Sequence, residues 1–504
     1  MSSRTNKALK GTIASVLQYA IFIILQALLA PLVLKVAGQE VLGAYSIVMQ
    51  MVGYGILLDL GFNVALGRYL SQTYGFHDQG SRFTEVFTIG RIFLLFTNLV
   101  FAGFILLVAL RIGDLITASD AIIIQARGAL WLLAVWTFVR TPLAIYNQAL
   151  NATQNMAAAN IIAIIGNMSR LLMSLGLVYA GFGLVGLILA NIISEGLAFS
   201  MQMKYFMSKY PSYSFGWKVT NDRLFKEMFS FGVKYWGVNL AVVLFLGSDA
   251  IVVGNLYGAS AASVYYTTKM PAFLLMQFIY RLSDNASPAA NELFAQGSYE
   301  ALRSAYSKIM RYSLLLALPL AIGIIGFNKE VITAWVGSAQ YAGNVMSLAL
   351  AIFVLTQVIN HINAMITVAA GDMRRWSTVS IITSISSLAL SYWLGKMFGS
   401  EWVMVAIALM DFPNTIFLFR RSLVGLNLSI LRLWREAIKP SLLACLPLCG
   451  MVFYLTTMSQ MGTLLSLVYW VFAFGVLWAG SLFLMGLTGP ERELLRNKCQ
   501  AYLS

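Results

Sequence analysis

Fourteen apolar stretches, each about 20 to 26 residues long, recur between residues 12 and 486. At 1.5 Å per residue a helix of that length crosses the roughly 30 Å hydrocarbon core of a bilayer. Strands would need only about 9 to 11 residues and would alternate in polarity, which these stretches do not. The chain is 59% hydrophobic and 11% charged, against about 25% charged in soluble domains. These features predict an all-α polytopic membrane protein with about 14 transmembrane helices. The first stretch follows Arg4, Lys7 and Lys10 and exceeds the roughly 7 to 15 apolar residues of a secretory signal, so it is read as an uncleaved span. Three cysteines, Cys445, Cys449 and Cys499, are too few for a disulfide framework and read as small apolar side chains.

The net charge of +14 reports topology, with no need for a nucleic-acid partner. With the N-terminus inside, twenty-four Lys and Arg residues fall in cytoplasmic segments and only four, Lys35, Arg111, Lys329 and Lys396, on the other side. That positive-inside bias predicts both termini in the cytoplasm.

The longest loops are cytoplasmic, and none is large enough for a soluble catalytic domain. One of them separates six spans from eight, which gives an N-lobe at 1–206, a linker at 207–228, a C-lobe at 229–420, and two further spans with a tail at 421–504. The lobes read as a repeat. "LGFNVALGRYLSQTYG" from Leu60 lies over "LSDNASPAANELFAQG" from Leu282, Tyr45 over Tyr265, and "ATQNM" from Ala152 over "AAGDM" from Ala369. Six spans is an even number, so the two copies share an orientation and a pseudo-two-fold axis along the membrane normal. Parallel repeats of that kind place a substrate path at their interface, which predicts a transporter.

Ten charges lie inside the spans: Arg91, Arg127, Arg140, Arg170, Lys234, Lys269, Asp59, Glu195, Asp249 and Asp411. Each would cost roughly 2.5 to 3.5 kcal/mol facing lipid, so they must pair, snorkel or line a watery cavity. Arg91 and Lys234 are near enough to the inner surface to snorkel, and Arg127 to the outer. Arg140 and Arg170 are deeper and are assigned to a cavity or ion pair. Trp136, Arg140, Asn147 and Asn151 share one helical face. In the second copy Arg140 falls on Gln357, close to Asn360, His361 and Asn363; Asn147, Gln357 and His361 are therefore also lumen candidates, with His361 alternatively a hydrogen-bonded helix contact. Asp249 and Lys269 are expected to pair across adjacent helices. Asp411 precedes Pro413, whose missing N–H marks a kink that is a gating hinge or simple packing. Asp59, about 13 Å inside its span, is expected to pair with Arg140 or Arg170. Glu195 completes the ion-pair candidates. No Walker A sequence is present, and the two histidines form no evident metal site.

The run "DLGFNVALGRYLSQTYG" resembles the second span of bacterial polysaccharide exporters, the Wzx-like flippases of the multidrug, oligosaccharidyl-lipid and polysaccharide (MOP) superfamily. The resemblance continues through "RLLMSLGLVYAGFGLVGLILA", "SDAIVVGNLYGASAASVYY", "SPAANELFAQGSYEALRSAYSKIMRYSLLLALPLA" and "WVGSAQYAG". It implies a V-shaped pair of six-helix lobes in the bacterial inner membrane. That pair would move an undecaprenyl-diphosphate-linked oligosaccharide from the cytoplasmic to the periplasmic leaflet for O-antigen, lipopolysaccharide or exopolysaccharide synthesis. It also implies no enzymatic step, no cofactor beyond coupling to H+ or Na+ or to the membrane potential, and a polysaccharide polymerase as partner. A cationic lumen would bind the anionic headgroup, with Arg140 and Arg170 first, then Arg91, Lys234 and Lys269. The alternatives are a MATE-type multidrug exporter, which would want acids for cations, and a membrane-embedded glycosyltransferase or polymerase.

Overall fold

The computed structural model describes residues 3–73, 81–211, 221–370, 373–458, 464–493 and 497. They are helical throughout, with no strand among the described residues. The helices are α1 (Ser3–Val36), α2 (Gln39–Gly53), α3 (Gly55–Leu58), α4 (Phe62–Thr73), α5 (Ser81–Leu115), α6 (Asp120–Ala152), α7 (Met156–Tyr179), α8 (Gly183–Lys209), α9 (Asp222–Leu246), α10 (Asp249–Ala295), α11 (Tyr299–Val336), α12 (Asn344–Ala369), α13 (Met373–Phe398), α14 (Trp402–Gly425), α15 (Ile430–Leu433), α16 (Lys439–Met458) and α17 (Leu464–Ser481).

Twelve stretches are long and apolar enough to cross a membrane, and one of them, Asp222–Arg281, holds two of the expected crossings joined at Gly258. The remaining expected crossing, the second, is assembled from α2, α3 and α4. Among the described residues the helices thus accommodate about fourteen crossings, as the sequence predicts. The second is broken rather than continuous across residues 42–67.

The chain forms two compact units, Met1–Tyr266 and Thr267–Ser504. In the first unit, α2 crosses α10 with backbones in contact: a Cβ on Gly43 would lie 1.6 Å from the Ala259 carbonyl oxygen. Small residues at such crossings let transmembrane helices gain packing that lipid cannot supply. A cluster of Phe62, Phe83, Phe87, Tyr146, Phe206 and Met228 fills one end of the unit. Gly38 (φ 88°, ψ 171°) and Gly258 (φ 86°, ψ 171°) share one left-handed conformation at matching positions ahead of the second and eighth crossings. They are 220 residues apart, as Tyr45 and Tyr265 are.

In the second unit, α16 and α17 dock on α11, where Phe327, Val452, Leu455 and Leu467 form a core and the Trp478 indole donates to the Leu315 carbonyl at 3.1 Å. Beyond α17, Glu491 accepts hydrogen bonds from the Arg311 guanidinium and the Tyr312 hydroxyl and from the Thr488 amide at 2.7 Å. Partial burial would raise its carboxyl pKa, but these donors and the Arg311 charge outweigh that and hold it down at about 2.

Candidate substrate cavity

The break in the second crossing follows from the local sequence Asp59-Leu60-Gly61. Asp59 Oδ1 accepts the Gly61 amide at 2.7 Å and Oδ2 accepts Asn63 Nδ2 at 2.6 Å. A carboxylate bound to the amide two residues on is an Asx turn, which competes with helix and starts the next one. Leu60 and Gly61 both take left-handed backbone, φ 50° and 74°. Gly61 then meets α9, where a Cβ would lie 2.2 Å from the Gly232 carbonyl oxygen. The Trp236 indole of α9 donates to Leu57 O at 2.6 Å, supplying a donor to a carbonyl at the end of α3. Irregular backbone at membrane depth persists only where protein or a watery cavity covers it, and here both do.

Asp59 is 4% exposed and its partners are Gly61 and Asn63. The arginine expected beside it is not there, because the Gly61 amide and the Asn63 side chain already satisfy the carboxylate. A helix N-terminus also favours negative charge, by about 0.3 to 1 kcal/mol.

Asp59 and Asn63 line a cavity of about 590 Å³ within the first unit, together with Trp136, Arg140, Asn147 and Glu195. That volume falls within the usual range of ligand sites, about 300 to 1,000 Å³. Trp136, Arg140 and Asn147 come from one face of α6, as their spacing predicts, and Asn151 holds Asn147 by a 3.1 Å hydrogen bond. Glu195 of α8 accepts the Trp136 indole N–H at 2.9 Å and forms a long ion pair with Arg140, Nη1 to Oε2 at 3.9 Å. The Arg140 side chain is 36% exposed, so its planar fork of donors remains turned to the cavity. Such a fork binds phosphate oxygens in pairs.

The other predicted residues divide. Arg170 is not among the cavity-lining residues; it donates to Gln26 of α1 at 2.9 Å and lies 5.7 Å from the Phe22 ring centroid. Arg91 is 6% exposed, enclosed by the aromatic cluster near Tyr146 rather than snorkelling. The Lys234 side chain lies outside the described residues. Arg127 donates from Nε to the Ala109 carbonyl at 3.2 Å.

Asp249 sits at a second helix break, after Gly247 and Ser248, and accepts a short hydrogen bond from Gln50 of α2; Ser248 and Tyr54 share another at 2.7 Å. Asp249 belongs to the first unit and Lys269 to the second, where the Lys269 ammonium stands 4.7 Å from the Phe273 ring centroid.

In the second unit, Gln357 and Asn360 bind Asp411 at 3.1 and 2.9 Å. His361 stacks on Tyr280, with centroids 3.9 Å apart, and its Nε2 is 2.8 Å from Asp284 Oδ1. The expected polar helix contact is therefore present. Helix α14 continues through Pro413. Sequence reasoning missed Trp236 and Gly232, which meet the break at Asp59, and Gln50, which binds Asp249 at the other break. It also missed Asn98, Gln148 and Asn191, which line the cavity; amides in apolar helices were the available signal.

Residues 28–346 match the family described as "Polysaccharide biosynthesis protein". The teichuronic acid biosynthesis protein TuaB of Bacillus subtilis is 25% identical over 231 residues, covering 45% of this chain and 47% of that protein. The chain thus matches less than half the length of that relative. Among solved structures, the lipid II flippase MurJ in an inward closed conformation superposes with a TM-score of 0.69 at 14% identity, covering 94% of this chain and 97% of MurJ. An inward-facing MATE family multidrug resistance transporter of the MOP superfamily gives a TM-score of 0.67 at 15% identity, covering 82% of this chain and 94% of that one. The shared architecture is the MOP fold.

Proposed function

This chain belongs to the polysaccharide biosynthesis protein family, and from that premise we propose that it is a flippase for a lipid-diphosphate-linked oligosaccharide. It carries the saccharide unit from the cytoplasmic to the periplasmic leaflet by alternating access and breaks no bond in its substrate. The observation that carries the reading is Arg140, whose guanidinium faces a cavity of about 590 Å³ with its nearest acid 3.9 Å away. Both acids that line this cavity already hold donors: Asp59 takes Gly61 and Asn63, and Glu195 takes Trp136. A cationic drug would meet acids that already hold these donors, whereas an anionic headgroup meets a guanidinium held only by a 3.9 Å ion pair, with its side chain 36% exposed. This favours the flippase over the multidrug exporter.

In this reading the chain sits in the bacterial inner membrane with both termini cytoplasmic, as its basic residues are distributed, and hands its cargo to a polysaccharide polymerase. Coupling is to H+, to Na+ or to the membrane potential. The test is export in cells lacking the chromosomal copy. Arg140→Ala is expected to abolish surface polysaccharide while membrane levels of the protein stay unchanged. Full export by the Arg140→Ala, Arg170→Ala double variant would sink the cationic-cavity reading.

A further inference from the structure

Asp411, near the middle of α14, is 1% exposed. Its Oδ1 accepts Gln357 Nε2 at 3.1 Å and Asn360 Nδ2 at 2.9 Å, both from α12. Among the described residues, its Oδ2 has no hydrogen-bond partner, and neither does Asn360 Oδ1; both atoms are buried. Thr356 lies beside the carboxylate but gives its hydroxyl hydrogen to the Phe353 carbonyl at 3.0 Å.

The charges around this group offer no counter-ion. Tyr280 of α10 spends its hydroxyl on Gln357 Oε1 at 3.2 Å. His361 of α12 is held by Asp284, and Arg281 is 3.7 Å from that same Asp284. From α13, Ser380 bonds Asn414 at 3.0 Å, and from α11, Tyr306 bonds Asn363 at 2.8 Å. Neither Ser380 nor Tyr306 is a cation. Among the described residues Asp411 forms no ion pair. A carboxylate buried in this way exchanges its hydration for two neutral amide donors and no counter-charge.

The two orphaned atoms are both acceptors, on two residues already joined by an amide N–H to carboxyl oxygen bond. One hydrogen placed between Asp411 Oδ2 and Asn360 Oδ1 would satisfy both. A carboxylic acid and a primary amide complement each other fully: the amide N–H donates to one carboxyl oxygen, and the acid O–H donates to the amide oxygen. We propose that Asp411 Oδ2 carries a proton in this conformation and donates it to Asn360 Oδ1, so that the Asp411–Asn360 pair between α12 and α14 is a proton-binding site. Loss of the proton puts a negative charge between these helices and leaves the amide oxygen without a donor, so the site responds to pH. Its use in driving export rests on the flippase reading; the protonation itself does not.

The test uses the full-length protein in lipid nanodiscs and infrared difference spectra recorded between neutral and strongly alkaline pH. A hydrogen-bonded carboxylic-acid C=O band is expected at neutral pH. It should disappear in Asp411→Asn and move to higher frequency in Asn360→Ala, where the acid keeps its proton but loses the amide. A band of equal intensity in wild type and Asp411→Asn overturns the proposal. So does sodium binding, read by 23Na NMR at neutral pH, that Asp411→Asn abolishes in a protein showing no acid band. Should Asp411→Asn fail to fold, Asn360→Ala decides alone, and an unshifted band in it overturns the assignment. None of these readouts requires transport, so the proposal stands or falls separately from the flippase reading.

Discussion

The second crossing of the first repeat and its counterpart in the second begin alike and end differently. Both follow a glycine in the same left-handed conformation, Gly38 and Gly258. The first is then interrupted at Asp59-Leu60-Gly61, whereas α10 continues to Ala295. When Leu60 is laid over Leu282, Asp59 and Gly61 fall on Arg281 and Ser283. The interruption thus needs a short acid to form the Asx turn and a glycine to meet another backbone, and the second copy has neither.

The same contrast runs through the fourth crossings. Arg140 of α6 turns its donors to a cavity, whereas its counterpart Gln357 is spent inside a buried network around Asp411. One repeat keeps polar groups available and the other satisfies them internally.

The largest expected effect is at Gly61. Gly61→Val puts a β-branched residue at φ 74° with its Cβ against the Gly232 carbonyl oxygen; the conformation alone costs about 1 to 3 kcal/mol. Most of the protein should be lost from the monodisperse peak in fluorescence-detected size exclusion. Ser283→Ala, at the corresponding place in unbroken helix, removes a 3.0 Å bond to the Tyr280 carbonyl and should cost about 1 kcal/mol or less. Equal losses at the two positions would break the comparison.

Next is the pair Arg140→Ala and Gln357→Ala. The first should abolish export with melting temperature unchanged. The second should lower melting temperature by the equivalent of about 1 to 3 kcal/mol, because it strips a donor from the buried Asp411 carboxyl group. If both act on export alone, the second repeat is not internally satisfied.

Asp59→Ala removes the turn acceptor and should destabilise by about 0.5 to 2 kcal/mol, the range for a lost helix cap; Asp59→Asn keeps an acceptor for the Gly61 amide and should cost less. The smallest effect lies outside both repeats. Glu491 has its carboxyl held at about 2, below its ordinary 4.5. Its contribution to tail docking is therefore fully present above about 4.5 and lost as pH falls toward 2. Acid-dependent protease access near Glu491, suppressed in Glu491→Gln because that variant is cut at every pH, would show this.

The count of crossings, the membrane class, the shared face of Trp136, Arg140 and Asn147, and the repeat were legible in the sequence. Each depends on spacing along one helix or on local hydropathy, and these are properties of neighbours in the chain. The Asx turn at Asp59 was not read, although Asp-Leu-Gly carries its signature, because a long apolar run masks such a signal. Pairing between helices was not legible. Asp59 and Arg140 share a cavity without meeting, Arg170 turns to Gln26, and Glu195, named only as an ion-pair candidate, reaches both Trp136 and Arg140.

The sequence alone determined that ten charges inside the membrane must be satisfied, because burying an ion is costly wherever it lies. Which partner satisfies each was decided by the tertiary structure. Partners at equal depth differ only in azimuth and in the helix that faces them, and those are fixed by close approaches such as Gly43 on Ala259 and Gly61 on Gly232.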